Sequence, residues 1–386
     1  MKKLFQLAVV AIVAMQLVSC CESKEDALNK QIEKTMAEHQ SIGLAVAAVK
    51  DGEIIYSHSF GYKDMDAKTP LENGDMFRIA SISKSFTATS LMQMAEQGKI
   101  NLDDEVSKYV GFPVVNPKYP DTKITLKMLL SHSSSMNDSQ GYFTLNAINP
   151  DSTKTWAGAY NDYEPGTQYE YCNLGYNTLG TILERVSGER YDKYVINNIL
   201  EPIGAEGGYL VADLDSSKLV KLYSFQSDST FKYSPAAYQQ SADFLDRYVQ
   251  GVTTPSFSPT GGLKISANDL AKVMAMHMNL GAVNDSVRVI SDESAMSMQS
   301  LYSHPTEDGE LGYGYALRTT ENLIPGLVMI GHTGSAYGVY TSMFWDAERN
   351  FGIVTMTNGC NPFRDNEFVS LTRTITNDVY NILIKE

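Results

Sequence analysis

Ser81-Ile82-Ser83-Lys84 is the stretch on which the reading of this 386-residue chain turns. Residues three apart on a helix share a face, so a helix starting here brings the Ser81 hydroxyl against the Lys84 amine. The residues that follow support that start. Phe86, Leu91, Met92 and Met94 supply apolar positions, no proline intervenes, and Gly98 stands where a glycine just past the last turn would end the helix. A serine hydroxyl is a weak nucleophile until a base takes its proton, and a neutral, desolvated lysine is such a base. Alone the pair says little, because a solvated helix face accounts for most serines and lysines at this spacing.

Two further motifs give it weight. Tyr171-Cys172-Asn173 follows Ser81 by ninety residues, and His332-Thr333-Gly334 follows Tyr171 by 161. Ser-x-x-Lys, then Tyr-x-Asn, then Lys/His-Thr-Gly resembles the penicillin-recognising serine enzymes, some of which carry the related set Ser-x-x-Lys, Ser-Asp-Asn and Lys-Thr-Gly. With tyrosine in the second motif the chain is similar to the class C β-lactamase and D,D-peptidase branch. Its His-Thr-Gly resembles the secreted D,D-carboxypeptidases and esterases of that branch more than the true β-lactamases. The resemblance runs over residues 40 to 360 and takes in Phe77-Arg78-Ile79-Ala80, Leu129-Leu130-Ser131-His132-Ser133-Ser134-Ser135, Glu164-Pro165-Gly166, Gly261-Gly262-Leu263 with Ser266 and Asp269, and Gly312-Tyr313-Gly314. Two positions depart from it. Ser135 stands where the family has glycine, which is expected to reshape a turn because serine tolerates positive φ poorly. Cys172 stands where the family has serine.

The resemblance implies roles. Ser81 is the nucleophile, and Lys84 and Tyr171 move protons; which of the two takes the serine proton stays open. The backbone N–H groups of Ser81 and Ser335 form the oxyanion hole, and Asn173, His332, Thr333 and Gly334 contact substrate. Asn173 also stands where it could cap the helix that its apolar periodicity starts at Leu174. A histidine at position 332, with an ordinary pKa near ~6.5, replaces a permanent cation. Recognition of a substrate carboxylate is therefore expected to be weak or pH-dependent, and β-lactam turnover slow. Trp156, Tyr142 and Phe143 are candidates for the wall of the acyl pocket.

Charge and address narrow the function further. The formal net charge is −14, a balance that disfavours nucleic acid and anionic lipid as partners. Lys2 and Lys3, then an apolar run to Val18, read as a leader over residues 1–19 that is short for a membrane span. Leu17-Val18-Ser19-Cys20 resembles a bacterial lipobox, which implies lipidation at Cys20, a tether over 20–26, and export to the cell envelope with the membrane reached through the lipid anchor only. Cys172 and Cys360 are left for the folded part, too few for a disulfide framework. The six histidines are scattered without metal-ligand spacing, so neither metal nor cofactor is expected.

Along the chain, a helical pattern over 26–40 precedes two strand-like runs, Gly43 to Val49 and Glu53 to Gly61, joined through Asp51-Gly52, a strong hairpin signal. Strand-like runs return late, at Leu327 to Ile330, Val339 to Trp345 and Phe351 to Met356, before a closing amphipathic helix from Phe368 to Ile384. Strands at both ends imply an α/β (α+β) architecture. An antiparallel sheet is assembled from the N- and C-terminal parts (27–120 plus 300–386), flanked by helices, with a mainly helical domain inserted over 121–299. The expectation is a serine hydrolase that acts through an acyl-enzyme on a peptide, amide or ester. The alternatives are acyl transfer to a small alcohol or amine, a slow β-lactamase, and a non-catalytic receptor for cell-wall fragments.

Overall fold

The computed structural model describes residues 23–306 and 308–385; the leader and Cys20 lie outside the described residues. Helix α1 (Lys24–Glu38) starts inside the stretch expected to be a tether, because the Ser23 hydroxyl accepts from the Asp26 N–H at 3.0 Å and caps it. The hairpin follows as β1 (Gly43–Lys50) and β2 (Glu53–Asp64), with a short β3 (Thr69–Pro70) on its outer edge. From the C-terminal part come β4 (Glu310–Tyr313), β5 (Arg318–Thr320), β6 (Met329–Ala336), β7 (Val339–Asp346) and β8 (Phe351–Thr357). Together they form an eight-stranded antiparallel sheet in the order β3-β2-β1-β8-β7-β6-β5-β4. β1 and β8 join the two ends of the chain, with Ala47 opposite Val354.

Both faces of the central strands are buried, and the side chains alternate between two cores. Leu44, Val46 and Ala48 of β1 meet Leu28 and Ile32 of α1 and Leu371, Ile375 and Val379 of the closing helix, Ser370–Val379. Ala45, Ala47 and Val49 point to the opposite core, shared with the helix carrying Lys84 and with a helix over Ala267–Met278. The latter lies on β1, β7 and β8, and a side chain at Gly352 would come within 2.7 Å of Met274. This helix lies within the stretch expected to form the inserted domain. The apolar face Leu270, Val273 and Met274 covers the second face of the sheet, so residues 121–299 are not a layer of their own. Short strands also occur in this stretch: Lys264–Ile265 pairs with both Phe77–Arg78 and Gly207–Gly208. Among the described residues no helix is long and apolar enough to cross a membrane.

Candidate active site

The nucleophile candidate lies on a strained turn rather than in the helix itself. Ser81 occupies a 3-10 turn, Ala80–Ile82, and α2 (Ser83–Glu96) begins behind it. Ala80 has φ of +48°, which an L side chain adopts at a cost and which recurs at functional sites. The turn is pinned from two sides. Ile79 N–H donates to Leu263 O at 3.0 Å, and Thr341 Oγ1 donates to Ile79 O at 3.0 Å. β6 approaches the turn so closely that a Cβ at Gly334 would lie 2.2 Å from Ile79 O. Gly334 thus permits the approach, its absent side chain directed at Ile79 rather than the cleft. Beyond Gly331, β6 has no partner strand on the β5 side among the described residues, so the segment from His332 to Ala336 offers an open edge to Ser81.

Lys84 is fully buried, and its surroundings suit a neutral amine. Nζ lies 2.9 Å from Asn173 Oδ1, 2.9 Å from Thr260 O and 3.1 Å from Ser81 Oγ. An uncharged amine has two N–H groups for the two fixed acceptors and a lone pair left for the serine hydroxyl. Burial brings the Lys84 pKa down to about 7, against the opposing field of the Asp138 carboxylate. Tyr171 is half-buried, with its hydroxyl shielded from water and its ring centroid 4.7 Å from Nζ. Its hydroxyl makes no hydrogen bond within the distance and angle of a formed bond, while Ser81 is near enough to oppose the rise that burial imposes on its pKa.

Asn173 opens α3 (Asn173–Ser187), but its side chain does not cap it. The cap is Asp138, from a loop that the sequence motifs left out. Its carboxylate accepts from Asn173 N–H at 3.0 Å, Leu174 N–H at 2.9 Å and Asn173 Nδ2 at 2.8 Å. With the amide nitrogen held there, Asn173 Oδ1 is turned toward Lys84 and also accepts from Thr260 Oγ1 at 2.6 Å. Asp138 and Thr260 belong to the site through partners 35 and 87 positions away, so no local spacing pointed to either.

His332 departs from expectation. It is buried, with Nε2 3.0 Å from the Tyr313 hydroxyl. Burial first, and Lys84 second, push its pKa down to about 3. It therefore stays neutral throughout the physiological range, and the expected titration near ~6.5 is lost to burial. Ser135 keeps φ at +60° with its hydroxyl accepting from Asn116 Nδ2 at 3.0 Å, so the turn is preserved rather than reshaped. The Ser-x-x-Lys spacing also recurs at Ser229 and Lys232, on the turn and strand of a small hairpin outside the cleft. Ser81, Tyr171, Asn173, His332, Thr333 and Ser335 all line one cleft of about 640 Å3, with Tyr142 and Phe143 in its wall. Trp156 is not in that wall and packs edge-on to Tyr160.

This fold, with a serine, a lysine and a tyrosine gathered where one edge of the sheet meets a helix start, is that of the serine β-lactamases and penicillin-binding proteins. The chain belongs to the Beta-lactamase family, whose model matches residues 28–372. Protein flp of Staphylococcus aureus (strain N315) is 24% identical over 340 residues, covering 86% of this chain and 62% of its own length. This chain therefore spans about three fifths of that relative. Penicillin-binding protein 4* of Bacillus subtilis (strain 168) is 32% identical over 179 residues, covering 44% of this chain and 38% of its own. Among solved structures, the octameric penicillin-binding protein homologue from Pyrococcus abyssi superposes with a TM-score of 0.71 at 27% identity, covering 91% of this chain and 76% of that one. EstCE1, a hydrolase with promiscuous acyltransferase activity, shares the fold with a TM-score of 0.71 at 20% identity, covering 92% and 99%.

Proposed function

We propose that the protein is a serine hydrolase that cleaves a peptide, amide or ester through an acyl-enzyme at Ser81, with D,D-peptidase-like or esterase activity. The observation that carries this reading is the buried Lys84 amine, 3.1 Å from Ser81 Oγ with its pKa brought down to about 7. Neutral Lys84 takes the Ser81 proton, and Oγ forms a bond to the substrate carbonyl carbon. The N–H groups of Ser81 and Ser335 hold the resulting oxyanion. Collapse breaks the bond to the leaving group, which takes a proton from Tyr171, and Lys84 returns one to Tyr171. Lys84 rather than Tyr171 is the first base, because burial holds the phenol protonated. Water then attacks the acyl-serine, giving up a proton that restores the serine hydroxyl. A small alcohol or amine entering in place of water makes the same site an acyltransferase, and the size of the open cleft favours this second reading.

Fluorophosphonate labelling followed by intact-protein mass measurement tests the assignment. Ser81→Ala should abolish labelling. Ser83→Ala and Ser85→Ala should retain it, since those hydroxyls are buried against Leu263 N–H and Ile82 O. Undiminished labelling of Ser81→Ala would sink the mechanism. Attachment to the cell envelope through a lipid at Cys20 is part of the same proposal. It expects the mature protein to partition with detergent, and Cys20→Ser to release it or leave the leader uncut.

A further inference from the structure

Arg78 and Lys264 face each other as directly opposed residues of a two-strand pair. Lys264 is almost wholly buried, and Arg78 is half-buried in the wall of the cleft. Among the described residues neither forms an ion pair. Lys264 Nζ is held by Tyr209 O at 2.5 Å. Arg78 donates Nε–H to Gly261 O at 2.9 Å and Nη1–H to Ala237 O at 2.8 Å, which leaves the rest of its five N–H donors without a carboxylate. Arg318, the other arginine of the cleft, shows the contrast: Glu310 neutralises it. Burial and the neighbouring Arg78 charge drive Lys264 toward the neutral amine, so Arg78 is left as the cation of the pair, at the cleft and with no anion beside it among the described residues.

A second strained residue points to the same place. The two-residue turn between β6 and β7 is Tyr337-Gly338, both at positive φ. Such a turn favours asparagine, aspartate or glycine at its first position. The tyrosine there lays its ring 5.1 Å from the Arg78 guanidinium carbon, forming one wall of the cleft. Polarity along β6 says which part of the substrate lies here. Tyr171, which protonates the leaving group, stands beside His332, with ring centroids 6.2 Å apart. The leaving group therefore departs at the His332 end, and the acyl part extends past Ser335 toward Tyr337 and Arg78.

We propose that Arg78 binds a carboxylate carried on the acyl part of the substrate, so that the preferred acyl donors are anionic at the end remote from the scissile bond. The inference rests on the acyl-enzyme reading above and names the substrate class of that site. Its test compares 4-nitrophenyl hydrogen glutarate with its neutral methyl ester, reading the second-order rate at which each acylates Ser81. The wild type should favour the anionic ester by about tenfold or more, the value of a hydrogen bond to a charged group. Arg78→Gln should erase that preference, read as the ratio of the two rates in the same variant, with a thermal melt reporting its folding. Arg78→Lys should keep much of it. Equal rates on the two esters in the wild type, or equal losses on both in Arg78→Gln, would overturn the inference and leave the hydrolase reading standing. Failure of both esters and of the fluorophosphonate to acylate Ser81 would overturn the two together.

Discussion

At the scale of single residues, Lys84 and His332 exchange the roles that their ordinary pKa values would give them. The histidine, ordinarily the group that titrates near neutrality, is held down to about 3, and the lysine is brought to about 7. A base must be unprotonated to act, so acylation should rise as pH rises through about 7 and level off above it. His332→Asn should leave that limb in place; its disappearance would return the titration to the histidine. Asp138 raises the Lys84 pKa by favouring the ammonium. Asp138→Asn should therefore move the limb to lower pH and, by weakening the cap of α3, cost about 1 kcal/mol of stability. A pH–rate profile and a thermal melt of the same variant separate the two effects. That Ser81, Lys84 and Tyr171 come together was legible in the sequence because each sits in a short motif. Asp138 was not, since its partners are distant in the chain and an aspartate in a loop carries no periodicity.

At the scale of elements, the site depends on how closely β6 lies to the Ile79–Ser81 turn. Gly334→Ala places a methyl group where Ile79 O already stands. Backbone cannot rotate away as a side chain does, so the strand must shift, at a typical overpacking cost of about 1–3 kcal/mol. Ser335 moves with it, and Ser81 labelling should slow by a hundredfold or more, about 2.7 kcal/mol for a misplaced oxyanion donor. A variant that labels at the wild-type rate would show that the strand tolerates the shift. The elements themselves were largely readable: α3 ends at Gly188, which has φ of +75°, and the β1–β2 hairpin turns at Asp51-Gly52. Less legible was the place of the helix over Ala267–Met278. Its apolar face says that it is covered, and only the packed sheet says by what.

At the scale of the molecule, the sheet separates the chemistry from a purely structural layer. Ile375 is fully buried in the core shared with α1, on the face away from α2. Ile375→Ala should lower stability by about 2–5 kcal/mol. Its Ser81 labelling rate, measured well below the melting temperature, should match the wild type, and a matching loss of rate would show that the two faces are coupled. The pairing of β1 with β8 bears on how the chain comes into being. A chain synthesised at about 5–20 residues per second leaves β1 without one neighbour for many seconds before β8 exists. During that interval an apolar strand has an open edge, a setting for aggregation that chaperones guard against. Ser81, Lys84, Tyr171 and His332 all precede Phe351 in the chain. A nascent chain halted just before β8 would therefore carry all four of these side chains, set down well ahead of the strand that lets the sheet close.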